Sequence, residues 1–292
     1  MTFVISVIAN PANPTITPPL LDRLAETVKG GAPVTLSEGA AYDIYVPDLP
    51  ENTGDIFAIG REERVDVNIV PERSRRKKLL IADMDSTIIQ QECIDEIAEY
   101  AGKRDEISAI TEKAMRGELD FEGALRERVA MLKGLSESVL QETFDKRITL
   151  TPGAETLVKT MNEAGAATAL VSGGFTFFTS RVAVAAGFRH NQANELLVKD
   201  GELSGEVREP ILGRAAKEEA LVRLAEENEI DLAETMAVGD GANDLSMLDR
   251  SGLGVAFHAK PAVAKAARAR IHYGDLTALL YLQGLKDEEF VR

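Results

Sequence analysis

Residues 79–87 read Leu79-Leu80-Ile81-Ala82-Asp83-Met84-Asp85-Ser86-Thr87: four apolar residues run directly into two carboxylates and two hydroxyls. An apolar run of that length, closed by polar turn residues, reads as a buried strand. The texture recurs twice downstream. Ala167–Val171 leads into Ser172-Gly173-Gly174, and Thr235–Gly239 leads into Asp240-Gly241-Ala242-Asn243-Asp244. Long helical segments separate these runs, the pattern of a parallel sheet covered by helices on both faces. Ligands of such sheets sit beyond the carboxyl ends of the strands. Asp83, Ser172 and Asp240 are therefore expected on one edge of an α/β fold.

Outward from that core, residues 91–149 carry a mostly helical pattern between the first and second strands. This is far longer than an ordinary connection of a few residues and predicts a helical cap over the strand ends. Upstream, Phe3–Ala9 reads as a buried strand and Leu20–Val28 as an amphipathic helix ending at Gly30-Gly31. Ala41–Val46 and Val65–Val70 read as further strands. The expected organisation is a small α+β unit over residues 1–72, a basic linker over 73–78 (Arg73-Ser74-Arg75-Arg76-Lys77-Lys78), and a larger α/β unit over 79–292. The basic run is expected to be a solvated connector rather than a nucleic-acid patch.

Charge sets the partners. The 292 residues hold 48 Asp and Glu against 33 Lys and Arg, a formal net charge of −15. Such a balance opposes general binding to nucleic acid or anionic membranes. An anionic substrate then needs positive charge supplied locally, by a metal or a few placed cations. The one cysteine, Cys93, excludes an internal disulfide and fits a reducing cytoplasm. No apolar stretch approaches the ~18 residues of a membrane span.

Two carboxylates two residues apart at a strand end can serve as nucleophile or metal ligand and as proton donor. The same residue types also suit a capped strand-to-helix turn. Asp240, Asn243 and Asp244 among glycines suggest a magnesium site, which requires oxygen ligands. Ser172-Gly173-Gly174 offers a hydroxyl and open backbone N–H groups, or simply a turn. Lys217 has Ala220 and Leu221 three and four residues on, at the edge of an apolar stripe, where a snorkelling surface lysine is the alternative. On the cap, Phe121 and Arg128 lie seven residues apart on one helix face. Ala124, Leu125, Met131 and Leu132 surround Arg128, so no acidic partner exists within its helix. Glu92 opens another helix nine residues after Asp83, beside Asp95 and Glu96. It could serve the helix dipole or take a substrate ammonium while Arg128 takes a carboxylate.

Taken in order, the DMDST run at 83–87, Ser172, Lys217 and the GDGAND run at 239–244 resemble the haloacid-dehalogenase-like superfamily of phosphotransferases, over about residues 79–275. Residues 83–102 (DMDSTIIQQECIDEIAEYAG), 116–135 (RGELDFEGALRERVAMLKGL), 171–175 (VSGGF) and 238–248 (VGDGANDLSML) further resemble its phosphoserine phosphatase family. The likeness implies a Rossmann-like domain and a magnesium-dependent phosphatase that hydrolyses O-phospho-L-serine through an aspartyl-phosphate, the last step of serine biosynthesis. It implies Asp83 as nucleophile and Asp85 as acid and base. It assigns metal binding to Asp83, Asp85, Asp240 and Asp244, and substrate recognition to Glu92, Phe121 and Arg128. Ser172, Gly173, Lys217 and Asn243 fall on its phosphate-binding positions. Met84 departs from a frequent phenylalanine, at a position where only the backbone is used. Residues 1–72 resemble a degenerate ACT-type module, for which serine sensing, homodimer contacts or plain stability are the open roles. Two other readings are a phosphatase for another small phosphorylated amino acid and an amino-acid-sensing regulator with a vestigial phosphatase domain.

Overall fold

The computed structural model describes residues 2–292. The chain begins with β1 (Phe3–Ile8), α1 (Pro18–Val28), β2 (Val34–Ser37), β3 (Ala41–Val46), α2 (Thr53–Glu63) and β4 (Asp66–Pro71). The four strands form an antiparallel sheet in the order β2-β3-β1-β4. The apolar run of β1 is continuous because both faces of its sheet are covered. Ile5 and Val7 pack with Leu24, Ile44 and Ile56 under the two helices, whereas Val4 and Ile8 point the other way, into the core of the larger unit.

Leu79–Ala82, the apolar run before Asp83, is β5. The cap follows as α3 (Cys93–Ala98), α4 (Arg104–Met115), α5 (Phe121–Ala130) and α6 (Ser138–Arg147). The chain then returns through α7 (Ala154–Glu163), β6 (Ala167–Phe175), α8 (Thr176–Ala186) and β7 (His190–Asn194). A hairpin of β8 (Leu196–Lys199) and β9 (Glu202–Val207) precedes α9 (Arg214–Glu227) and β10 (Thr235–Gly239). The last elements are α10 (Leu245–Arg250), β11 (Leu253–Phe257), α11 (Pro261–Ala266), β12 (Ala269–Ile271) and α12 (Ala278–Tyr281).

Six strands form one parallel sheet in the order β12-β11-β10-β5-β6-β7. Alternate side chains of β5 feed two cores: Leu80 and Ala82 join Leu157, Val158 and Phe178, and Leu79 and Ile81 join Leu221, Leu224 and Met247. Helices therefore cover both faces, as the sequence predicts. The order reverses at β5, which lies between β6 and β10, so the carboxyl ends of these three strands flank a topological switch point. Among the described residues no helix is long and apolar enough to cross a membrane.

Arg73, Arg76 and Lys78 of the basic run are exposed, as expected of a connector, but Arg75 is not solvated. Arg75 is buried, and its guanidinium grips Asp43 of β3 through two bonds of 2.6 and 2.8 Å. It also donates to the carbonyls of Leu282 and Tyr281 at 2.7 and 3.0 Å. The planar fork of arginine can satisfy a carboxylate and two carbonyls together, which makes its burial tolerable. Two further polar contacts close the seam between the units. The Asn68 side chain exchanges hydrogen bonds with the backbone of Arg270, and Asp66 accepts the N–H groups of His272, Tyr273 and Gly274. These side chains of β4 shield edge strand β12, whose unpaired backbone would otherwise be open to pairing.

Candidate active site

The nucleophile candidate sits where β5 stops. Asp83 N–H donates to the Val238 carbonyl of β10, and its side chain accepts the Met84 N–H at 2.8 Å. A tight turn follows, in which Ser86 takes a left-handed conformation (φ 54°) and its hydroxyl meets Glu92. That turn returns the chain so that Cys93 N–H donates to Asp85 Oδ1 at 2.8 Å, while the Ser172 hydroxyl donates to Asp85 Oδ2 at 3.2 Å. The Ser172 oxygen in turn accepts the Gly174 N–H at 2.8 Å. Asp85 is thus fixed by β6 and by the start of the cap.

Lys217 is fully buried, not snorkelling. Its ammonium lies 2.6 Å from Asp83 and 2.6 Å from Asp244. The second oxygen of Asp244 accepts the Asp240 and Gly241 N–H groups at 3.1 and 3.0 Å. Asp244 therefore ties the loop after β10 to the lysine of α9. Gly239 belongs to this arrangement, because a Cβ there would collide with the Asp244 carboxylate.

Carboxylate oxygens of Asp83, Asp240 and Asp244 lie within 4.8 Å of one another, and Asp240 Oδ1 is buried without a hydrogen-bond partner. Four buried carboxylates (Asp83, Asp85, Asp240 and Asp244) face one buried ammonium. Burial, then the charge of Asp244, raises Asp83 to about 7 against an opposing pull from Lys217. Burial and the Asp244 and Asp83 charges push Asp240 well above the usual carboxylate range. Burial alone would lower Lys217, but Asp244 and Asp83 outweigh it and raise the ammonium. An all-oxygen cluster with surplus negative charge and an orphaned oxygen fits a hard divalent cation, which would favour the ionised forms.

Asp83, Asp85, Glu92, Phe121, Arg128, Ser172, Gly173 and Asn243 line one cleft between the sheet edge and the cap. Lys217, Asp240 and Asp244 form the buried acid and base layer around Asp83. Arg128 is buried yet has no carboxylate partner among the described residues. It donates to the Ala124 carbonyl and to the Thr111 hydroxyl, both at 3.0 Å. Burial holds its guanidinium below the usual range, against the pull of Glu92, Asp95 and Asp85. Glu92 is pushed well up by burial and by the nearby charges of Asp85 and Asp240. Phe121 covers Gly173 so closely that a Cβ there would stand 2.5 Å from its ring. Thr111, Met115 and Ile94 also line the cleft and are absent from the sequence reading. Thr111 is held by Asp95 at 2.9 Å and so links that acid to Arg128. A threonine and an aspartate on separate helices carry no spacing that could reveal this contact.

Comparison with known proteins agrees with this geometry. The haloacid dehalogenase-like hydrolase family matches residues 80–249. A phosphoserine phosphatase of Streptomyces coelicolor is 41% identical over 92% of this chain and 65% of its own length. The chain spans 64–66% of the length of three such curated relatives, just under two thirds. Among solved structures, a HAD family hydrolase from Salmonella enterica serovar Typhi superposes with a TM-score of 0.85 at 32% identity, over 98% of this chain and 99% of that one. A phospho-aspartyl intermediate analogue of a phosphoserine phosphatase superposes with a TM-score of 0.68 at 43% identity, over 72% of this chain and all of the other. With its strand-end carboxylates, buried lysine and acidic loop in one cleft, the chain belongs to the haloacid dehalogenase-like hydrolases.

Proposed function

We propose that this chain is a magnesium-dependent phosphatase that hydrolyses O-phospho-L-serine to L-serine and phosphate, the closing step of serine biosynthesis. One observation carries the substrate: a cleft ending at Asp83 presents a buried arginine, Arg128, with no carboxylate of its own, and a carboxylate, Glu92, held by a serine hydroxyl. A zwitterion bearing a phosphate supplies both missing partners. Its carboxylate goes to Arg128, its ammonium to Glu92, and its phosphate to the strand edge. Phe121 closes the cleft beside Gly173.

In the reaction, an Asp83 oxygen attacks phosphorus and forms an acyl phosphate as the bond to the serine oxygen breaks. Asp85 gives its proton to the departing alkoxide; burial raises its affinity for that proton. Water then attacks the acyl phosphate and loses a proton to Asp85, which releases phosphate and regenerates the Asp83 carboxylate. Lys217 offsets phosphoryl charge, and Ser172, the Gly173 N–H and Asn243 bind phosphoryl oxygens. Asp83, the Asp85 main-chain carbonyl and Asp240 would hold magnesium, with Asp244 beside it, and the ion supplies positive charge against the phosphoryl group. Cys93, free and buried, accords with work in the cytoplasm.

Phosphate release from a panel of esters, with and without magnesium, tests this reading. Phosphoserine should show the highest kcat/KM, with activity lost to a chelator and restored by magnesium. Tenfold preference for phosphothreonine, phosphohomoserine or a sugar phosphate would overturn the substrate assignment.

A further inference from the structure

A second cavity, of about 350 Å³, opens on the seam between the two units and shares no residue with the catalytic cleft. That volume is within the range of small-molecule sites, ~300–1,000 Å³. Its walls come from α2 and β4 on one side and from the segment running out of β12 on the other. Arg61, Arg270 and His272 line it, and Arg64 lies 5.9 Å from the ring of Tyr273 on the same wall. Arg270 lies over Phe57 at 4.9 Å.

The charge here runs against that of the molecule. Among the described residues, none of Arg61, Arg64 and Arg270 has an ion-pair partner, in a chain of net charge −15. The neighbouring carboxylates of α2 are engaged elsewhere: Glu62 and Glu63 turn to Arg23, at 2.7 and 3.5 Å. Asp66, the carboxylate among the described residues of the cavity wall, already accepts three N–H groups, those of His272, Tyr273 and Gly274, with the Tyr273 N–H shared between its two oxygens. Both of its oxygens are thus engaged by the backbone, which turns Asp66 toward the segment after β12 rather than toward a ligand in the cavity. The cavity offers several guanidinium donors to an anion against a single, backbone-bonded carboxylate.

We propose that this cavity binds a small dianion, a phosphate or a dicarboxylate, and does not take a zwitterionic amino acid. Guanidinium groups bind both kinds of oxyanion through paired N–H donors. The proposal is independent of the reaction assigned to the catalytic cleft.

Calorimetric titration of the full-length chain with inorganic phosphate, succinate and L-serine, in parallel with an Arg61→Gln/Arg270→Gln variant, decides it. On the proposed function inorganic phosphate would also enter the catalytic cleft, so its stoichiometry is the readout there. The expected result is a binding site, seen with phosphate as a second site per chain or with succinate as a single one, that weakens tenfold or more in the variant. Turnover at the catalytic cleft should be unchanged. Binding by phosphate alone would identify a phosphate ligand, and binding by both a general dianion site. Arg61→Gln alone, at an exposed position, serves if the double variant does not fold. The proposal is overturned if neither dianion shows a site sensitive to these arginines, or if L-serine binds and is lost in the variant.

Discussion

At the residue scale the proposed reaction depends on a few side chains whose chemistry cannot be exchanged. Asp83→Asn should abolish turnover in a folded protein, because an amide does not attack phosphorus. Asp85→Asn should slow the reaction ~10²–10⁴-fold, the usual worth of general acid–base help. Steady-state rates with circular dichroism as a fold control check both, and an active Asp83→Asn would contradict the covalent route. Arg128→Ala should reduce kcat/KM for phosphoserine by one to two powers of ten, since a charged hydrogen bond contributes roughly 1.5–3 kcal/mol. An aryl phosphate, lacking the carboxylate, should be hardly affected. An equal loss on both substrates would make Arg128 a structural residue of the cap.

A pH dependence also follows from Asp83. Its pKa in the metal-free fold is raised from 3.8 to about 7, by burial first. The native state then holds more protons than the unfolded state between those values, so stability falls as pH rises through that window. The stabilisation is fully present below about 3.8 and lost above about 7. Magnesium should flatten this slope. Urea midpoints across pH, with chelator and with magnesium, measure it; identical slopes would argue that no cation binds at Asp83. These residues were legible in the sequence because each lies at the end of an apolar strand or stands unpaired in an apolar helix face. Thr111 was not, since its tie to Arg128 spans two helices.

At the element scale, the cap and the three central strands β5, β6 and β10 were legible from their texture, whereas the outer strands β7, β11 and β12 and three smaller features were not. β2 is four residues long, on a sheet edge, with Val34 exposed. The β8–β9 hairpin forms a separate two-stranded sheet. α2 contains Gly54 and Gly60, and glycine lowers helix propensity by about 1 kcal/mol. Packing explains Gly60, where a Cβ would stand 2.8 Å from Val67 and 3.0 Å from the Val65 carbonyl. The same kind of close approach operates in the site, where Gly173 makes room for Phe121. Gly173→Ala should displace the ring and cut kcat/KM for phosphoserine tenfold or more, with little change in melting temperature. Unchanged kinetics would show that Phe121 does not close the cleft.

At the scale of the whole molecule, the two units share a packed face. Every proposed catalytic group follows residue 78, yet Val4 and Ile8 pack into the core of the larger unit, and Arg75, Asp66 and Asn68 seal the seam. The sequence could not show this, because a run of basic residues reads the same whether solvated or clamped. Asp43→Ala would leave Arg75 buried without its carboxylate, a loss of about 3–5 kcal/mol. Denaturant unfolding should show that loss while the remaining folded protein keeps its kcat. A loss below ~1 kcal/mol would mean that water reaches Arg75 and the seam is loose.

The covalent step at Asp83 is the claim on which the rest depends. Full-length protein mixed with phosphoserine labelled in the phosphoryl group, then quenched in acid within a turnover and digested, should yield label on the peptide that contains Asp83. Prior replacement of Asp83 by asparagine should remove that label. Turnover without labelled protein, or label on any other residue, would contradict the account.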